Sequence, residues 1–149
     1  MPAPATTAFT PAFDGYAGRI SASFARQGAM ALIGATLLEV APGYCAIALM
    51  PRAEVSQQHG YVHAGVLAAI VDSAGGYAGF TLFPADSSVL TVEFKLNLLA
   101  PAAGDLLIAR GSVLRAGRTL TVCEARVAAL SDGEETQCAV ALVTMIRRA

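Results

Sequence analysis

Apolar positions recur at helical spacing in two stretches of the chain. In the first they fall at Phe13, Tyr16, Ala17, Ile20 and Phe24, which predicts a helix over Phe13–Arg26 with Gly28 as its stop. In the second, Ala64 to about Phe80, the residues are apolar almost throughout, which predicts a long buried helix. The other apolar runs read as strands. Ala31–Val40 and Tyr44–Met50 are joined by the turn signal Ala41-Pro42-Gly43. Ser88–Leu99 alternates, with Val92, Phe94, Leu96 and Leu98 on one face and Thr91, Glu93, Lys95 and Asn97 on the other. Asp105–Arg115, Arg118–Leu130 and Gln137–Ile146 follow, separated by Ala116-Gly117 and by the hairpin signal Ser131-Asp132-Gly133. Residues 51–62 are polar and read as loop, and Pro84-Ala85-Asp86 reads as a turn.

Short connections between strands imply an antiparallel sheet. One long apolar helix must be wrapped by that sheet to hide its faces. The expected class is α+β: an antiparallel sheet around a long central helix, with an extra N-terminal helix. Residues 1–12 read as a flexible leader and 13–149 as a single domain. Along the long helix, Leu67, Ile70, Val71, Ala74 and Ala78 make a core stripe. Gly65, Ala68, Ala69, Asp72, Gly76 and Gly79 make a second stripe of small residues. A partner helix or a ligand is expected to approach the backbone there.

Composition adds an assembly. Hydrophobic residues make up 55% of the 149 and charged residues only 14%. A single domain with so little charge is expected to cover part of its surface in an oligomer. The net charge of −1 argues against a nucleic-acid partner. Every apolar run is interrupted by Gly, Pro or a charge before it reaches membrane-spanning length. The first seven residues lack the basic-then-apolar order of a secretory signal. Cys45, Cys123 and Cys138 are odd in number and widely spaced, so no disulfide framework is expected and a reducing cytoplasm is.

The candidate chemistry lies where the polar loop runs into the long helix, from Gln57 to Asp72. A helix start presents free N–H groups and a partial positive charge. A lone Asp among Leu, Ile, Val and Ala is costly to bury unless it is used or paired. Together they suggest an oxyanion donor at Ala64 and a catalytic carboxylate at Asp72. The two are about 12 Å apart along a helix rising 1.5 Å per residue, too far to serve one carbonyl within one subunit. Two antiparallel helices related by a two-fold axis would bring Asp72 of one copy to the Ala64 helix start of the other. A catalytic site here therefore requires a homodimer with two equivalent sites. Other readings of Asp72 stand beside this one: a structural cap at Gly75-Gly76, or an ion pair with Arg52 or Lys95. His59 and His63 are spaced as metal ligands can be, but they lie in a loop without a third ligand, so no metal is expected. Ser73 lacks a nucleophile elbow, and Gly75-Gly76-Tyr77-Ala78-Gly79 lacks the preceding strand of a phosphate loop.

His63-Ala64-Gly65 with Asp72 nine residues after the His, Gln57 six before it and Thr91 on the next strand resembles the hotdog-fold acyl-CoA thioesterases of the PaaI-like family. The likeness extends through Asn97-Leu98-Leu99-Ala100-Pro101-Ala102 and Gly117-Arg118-Thr119, and spans roughly Leu32 to Met145. One departure is Ala64, where the family usually has the first Gly of His-Gly-Gly; the N–H survives, but a thioester must pass a methyl group. The resemblance implies the hotdog fold, hydrolysis of acyl-CoA to a carboxylic acid and coenzyme A without metal or other cofactor, and a homodimer assembling to a homotetramer. It implies Asp72 as general base or nucleophile and the Ala64 N–H as oxyanion donor. It further implies Gln57 holding the thioester or water, Thr91 orienting that water or Asp72, and His63 and Gly65 shaping the helix start. Arg115 and Arg118 are candidates for the phosphates of coenzyme A or are solvated hairpin charges, with Lys95 a candidate of the same kind. Tyr77 and Phe80 are candidates for an acyl pocket or for core. Two other functions remain open: a non-catalytic acyl-CoA binding module, and a hotdog hydratase. The hydratases use an Asp closely followed by a His, and no His follows Asp72.

Overall fold

Six antiparallel strands wrap one long helix in the computed structural model, which describes residues 8–149. The chain runs α1 (Tyr16–Ala25), α2 (Gly28–Ile33), β1 (Ala35–Ala41), β2 (Tyr44–Leu49), α3 (Ala64–Phe80), β3 (Ser88–Leu98), β4 (Leu106–Ala116), β5 (Leu120–Ser131) and β6 (Glu134–Arg148). The sheet order is β1-β2-β4-β5-β6-β3, with every pairing antiparallel. This is the hotdog arrangement, and α3 occupies the span its apolar run predicts. Ile70, Val71, Ala74 and Ala78 of α3 are fully buried with Ile47, Leu107, Val127, Val143 and Met145 of the sheet. Among the described residues no helix is long and apolar enough to cross a membrane.

Four expectations are corrected. Ala31–Ile33, read as strand, belongs to α2; Gly34, at φ +75°, ends that short helix and lets β1 start at Ala35. Gly28 opens α2 rather than simply stopping α1. The clean alternation of β3 is broken by a bulge: Thr91 pairs with Met145 and Glu93 with Thr144, leaving Val92 as the extra residue. The bulge puts Thr91 on the helix-facing side with Phe94, Leu96 and Leu98, while Glu93, Lys95 and Asn97 face outward. Only the C-terminal end of the small stripe, Gly76 and Gly79, is met by the chain's own sheet, while Gly65, Ala68, Ala69 and Asp72 stay exposed or half-buried. Side chains of Val143, Met145 and Thr121 pack where Gly75, Gly76 and Gly79 lack a Cβ, and Gly111 of β4 lies against the Ala74 carbonyl.

The first seven residues of the expected leader lie outside the described range. Residues 8–12 are not in a helix or strand, yet Phe9 packs on the core, its ring over the β1–β2 turn at Gly43. That turn needs glycine, with φ +74°. The β5–β6 hairpin turns on Asp132 and Gly133, both at positive φ, as its sequence predicts. Cys45, Cys123 and Cys138 are free and fully buried on the sheet, and burial pushes the Cys45 and Cys123 thiols up to about 12.

Candidate active site

α3 begins where the polar loop is pinned to the body. The Val62 N–H donates to the Ala102 carbonyl (3.0 Å) and the His63 N–H to Val55 (2.9 Å). His63 is the N-cap: its Nδ1 accepts from the Gly65 N–H at 2.8 Å. Its carbonyl accepts from Val66 (2.9 Å) and Leu67 (3.2 Å). An accepting Nδ1 is unprotonated, so His63 organises the helix start rather than transferring a proton from that nitrogen. Of the first four N–H groups of α3, that of Ala64 alone has no acceptor among the described residues. It sits at the positive end of the helix dipole, on a residue that lines a groove of about 550 Å³. Gln57, Tyr61, Ala64, Leu67, Leu98 and Leu99 line this groove. Gln57 holds its own loop: its backbone N–H donates to Tyr61 (2.8 Å) and its Oε1 accepts from the His59 N–H.

Two turns further along α3, Asp72 is half-buried and accepts a hydrogen bond on Oδ1 from Thr91 Oγ1 at 2.5 Å. The bulge at Val92 is what turns Thr91 toward it. Neither Arg52 nor Lys95 pairs with Asp72. Arg52 reaches Leu32 and Glu54 instead, and α3 runs unbroken through Gly75-Gly76. The cap and ion-pair readings of Asp72 therefore fall away. The structure brings Asp72 and Thr91 together, and separately gathers Gln57, His63, Ala64 and Gly65. Both groups lie along the β3 side of α3, and β3 is a sheet edge with Leu90, Val92, Phe94 and Leu98 exposed.

Tyr77 and Phe80 are core residues away from the groove. The Tyr77 hydroxyl accepts from Gln27 Nε2 (2.8 Å), lies 3.1 Å from Ser23 Oγ, and is buried under Phe24 of α1. Phe80 packs edge-on to Phe83 and under the Arg19 guanidinium, 3.9 Å from the ring centre. Arg115 and Arg118 are exposed at the β4–β5 turn, and Lys95 is exposed on the outer side of β3.

Sequence reasoning missed Arg19. From α1 it donates to the carbonyls of Phe80 (2.5 Å), Phe83 (2.9 Å) and Pro84 (2.5 Å), closing the C-terminal end of α3. Burial lowers its pKa from the ordinary arginine value. The role of Leu98 and Leu99 as a wall of the groove was missed too; its signals are the Asn97–Ala102 segment that carries part of the likeness and the strand end just before Pro101.

A long central helix wrapped by a six-stranded antiparallel sheet defines the hotdog fold. The sequence profile of the thioesterase superfamily matches residues 59–136, and the chain belongs to that superfamily. As a class, these are enzymes of thioester hydrolysis. A thioesterase family protein of Silicibacter pomeroyi has a similar crystal structure: TM-score 0.87, 43% identity, 89% of this chain and 98% of that one. The PaaI protein of the Escherichia coli phenylacetic acid degradation operon shares the fold at TM-score 0.79 and 18% identity, over 90% of this chain and 94% of its own. A candidate esterase of Halobacterium salinarum is 33% identical over 123 residues, 76% of this chain and 80% of the relative.

Proposed function

We propose that this chain hydrolyses acyl-CoA thioesters at two equivalent sites shared across a homodimer joined along β3. The observation that carries this reading is the separation of two incomplete half-sites on one flank: an unpaired Ala64 N–H, and a Thr91-held Asp72 eight residues further on. A two-fold axis near Ala68 on the helix brings Ala64 of one copy opposite Asp72 of the other. On the strand, the matching axis falls between Phe94 and Lys95 and sets Thr91 opposite Leu98 of the groove wall. The proposed dimer requires one rotation to serve both elements. It also covers an apolar sheet edge, which otherwise invites uncontrolled pairing.

In the completed site the thioester carbonyl accepts from the Ala64 N–H, whose dipole stabilises the developing oxyanion. Asp72 of the other copy takes a proton from water as the water oxygen bonds to the carbonyl carbon. The C–S bond then breaks, the proton passes to the leaving thiolate, and a carboxylic acid and coenzyme A depart. Direct attack by Asp72 would give an anhydride that water opens to the same products. Thr91 fixes the rotamer of Asp72, and Gln57 shapes the groove mouth where the acyl group enters.

The test is release of free thiol from phenylacetyl-, benzoyl-, hexanoyl-, lauroyl- and palmitoyl-CoA, wild type against Asp72→Asn. Turnover by the wild type that falls by about 10³ in the variant supports the reading, a typical scale for loss of a general base. Wild-type turnover retained by Asp72→Asn removes Asp72 from the reaction. No turnover by folded, dimeric wild type on any substrate overturns hydrolysis of acyl-CoA and favours the binding module.

A further inference from the structure

Behind the Asp72–Thr91 pair lies a methionine that the proposed chemistry leaves unused. Met145 of β6 stands opposite Thr91 of β3 on one side and Thr121 of β5 on the other. It is fully buried, and its Sδ lies 3.5 Å from Thr91 Oγ1. The Thr91 hydroxyl has one proton, which goes to Asp72, so the sulfur packs on the hydroxyl oxygen. The far end of the side chain runs under α3. A Cβ on Gly76, one turn beyond Asp72, would come within 3.3 Å of Met145 Cε, and one on Gly79 would lie 3.7 Å from its Cγ. Met145 thus fills the space that these two glycines open between α3 and the sheet, two contacts from the carboxylate.

This corner of the core is filled unlike its surroundings. Its occupant is unbranched, with three rotatable bonds, where Val143 and Val127 elsewhere on the inner face are branched and stiff. On its far side Thr121 is 1% exposed, and Thr121 Oγ1 has no hydrogen-bond partner among the described residues. Packing that serves stability alone rarely leaves a buried hydroxyl unpaired. The groove beside Ala64 carries Gln57, Gln58, Tyr61 and His63 in its wall, a polar lining that suits the thioester and its leaving group. Apolar atoms beyond the reacting carbon have the other side to occupy, past Asp72 of the second copy, where Met145 is the apolar side chain against Thr91.

We infer that Met145 is the floor of the acyl pocket and sets the length of the acyl group the site accepts. The inference rests on the acyl-CoA reading above and deepens it: the substrates are thioesters of short unbranched acids, hexanoyl rather than lauroyl. A chain long enough to reach the sulfur must displace a packed side chain, and overfilling a closed core is unfavourable. Loss of Cγ, Sδ and Cε would open room for about as many methylenes.

The experiment uses the full-length protein with Met145→Ala, Met145→Leu and the double variant Met145→Ala/Gly76→Val, assayed on hexanoyl- and lauroyl-CoA. The wild type is expected to prefer hexanoyl. In Met145→Ala the ratio of kcat/KM for lauroyl over hexanoyl is expected to rise about tenfold or more, since one methylene in an apolar pocket is worth about that much. Met145→Leu nearly conserves volume and should hold the ratio within about threefold. Gly76→Val refills the space from the helix side and should return the ratio toward the wild-type value. A Met145 that only packs the core would affect both substrates alike, so an unchanged ratio in Met145→Ala overturns the floor. A wild type that prefers lauroyl also overturns it.

The wild type itself carries a second readout, should Met145→Ala not fold. Labelling the four methionines with ¹³C at Cε gives one methyl signal each, and Met145→Leu assigns that of Met145. The probes are 2-oxopropyl- and 2-oxoheptyl-coenzyme A, in which a methylene parts the carbonyl from sulfur and nothing is hydrolysed. The heptyl probe is expected to shift the Met145 signal and the propyl probe to leave it in place. Equal shifts, or none, overturn the floor. A shift by the heptyl probe without turnover of any thioester keeps the floor and removes hydrolysis. Turnover that depends on Asp72, with a length profile indifferent to Met145, keeps hydrolysis and removes the floor.

Discussion

The two ends of α3 are treated in opposite ways. At the C-terminal end every one of the last four carbonyls has a donor. Tyr77 receives the Thr81 N–H, Ala78 the Thr81 hydroxyl, Gly79 the Leu82 N–H, and Phe80 both the Phe83 N–H and Arg19. An arginine from a helix more than sixty residues earlier in the chain completes this closure. At the N-terminal end three of the four donors are satisfied by His63 alone, and the fourth, on Ala64, is left facing a groove. A buried unsatisfied group costs about 1–3 kcal/mol, so folds close such ends by default. The one donor left open is on Ala64, an exposed residue, and in the function proposed above it is the donor to the thioester oxygen.

Breaking this asymmetry should give effects of descending size. Ala64→Pro removes the open N–H while respecting the helix: proline suits the first helical position, and His63 at ψ 139° already has the extended backbone a following proline requires. We expect kcat to fall by about 10²–10³, the scale of a lost oxyanion donor, with the melting temperature nearly kept. Turnover at the wild-type rate would make the two ends functionally alike. Arg19→Met at the sealed end should do the reverse. Denaturant titration should record a loss of about 2–3 kcal/mol, since bonds to a charged donor contribute about 1.5–3 kcal/mol each and this site is only partly buried. The folded fraction should still turn over substrate within about twofold of wild type, because no transition-state contact is removed. Thr91→Val, which leaves Asp72 without its fixed partner, should lower kcat about tenfold through lost orientation. Ala64→Gly should change kcat by no more than about threefold, since the N–H persists and only the methyl leaves. A larger change would show that the methyl shapes the site.

Much of this contrast was legible in the sequence, because its informative half is local. The polar run ending at His63, the apolar run beginning at Ala64 and the Asp72 carboxylate fall within sixteen residues, and helical rise alone separates the half-sites. What escaped depends on distant pairing. The Val92 bulge exists only relative to β6, so simple alternation put Thr91 on the wrong face. Arg19 reaches carbonyls that are remote in sequence. Gly76 and Gly79 looked like part of a surface for a partner because the sheet strands that fill them lie far downstream. Ala31–Ile33 was misread because a single short helical turn ended by Gly34 has the same apolar content as a strand. Tyr77 and Phe80 had the composition of a ligand pocket, and only packing assigns them to the interior.

The three cysteines gain a meaning from the reaction. A thioester hydrolase releases a thiol at every turnover, and the oxidised forms of that thiol are disulfides that exchange with any accessible protein thiolate. With the Cys45 and Cys123 thiols held near 12, only about one in 10⁵ would be ionised at neutral pH. Cys138 is shifted the same way and its Sγ donates to the Val127 carbonyl at 3.4 Å. The sheet thus buries its own sulfur away from disulfide exchange of the kind that modifies an exposed, ionised cysteine.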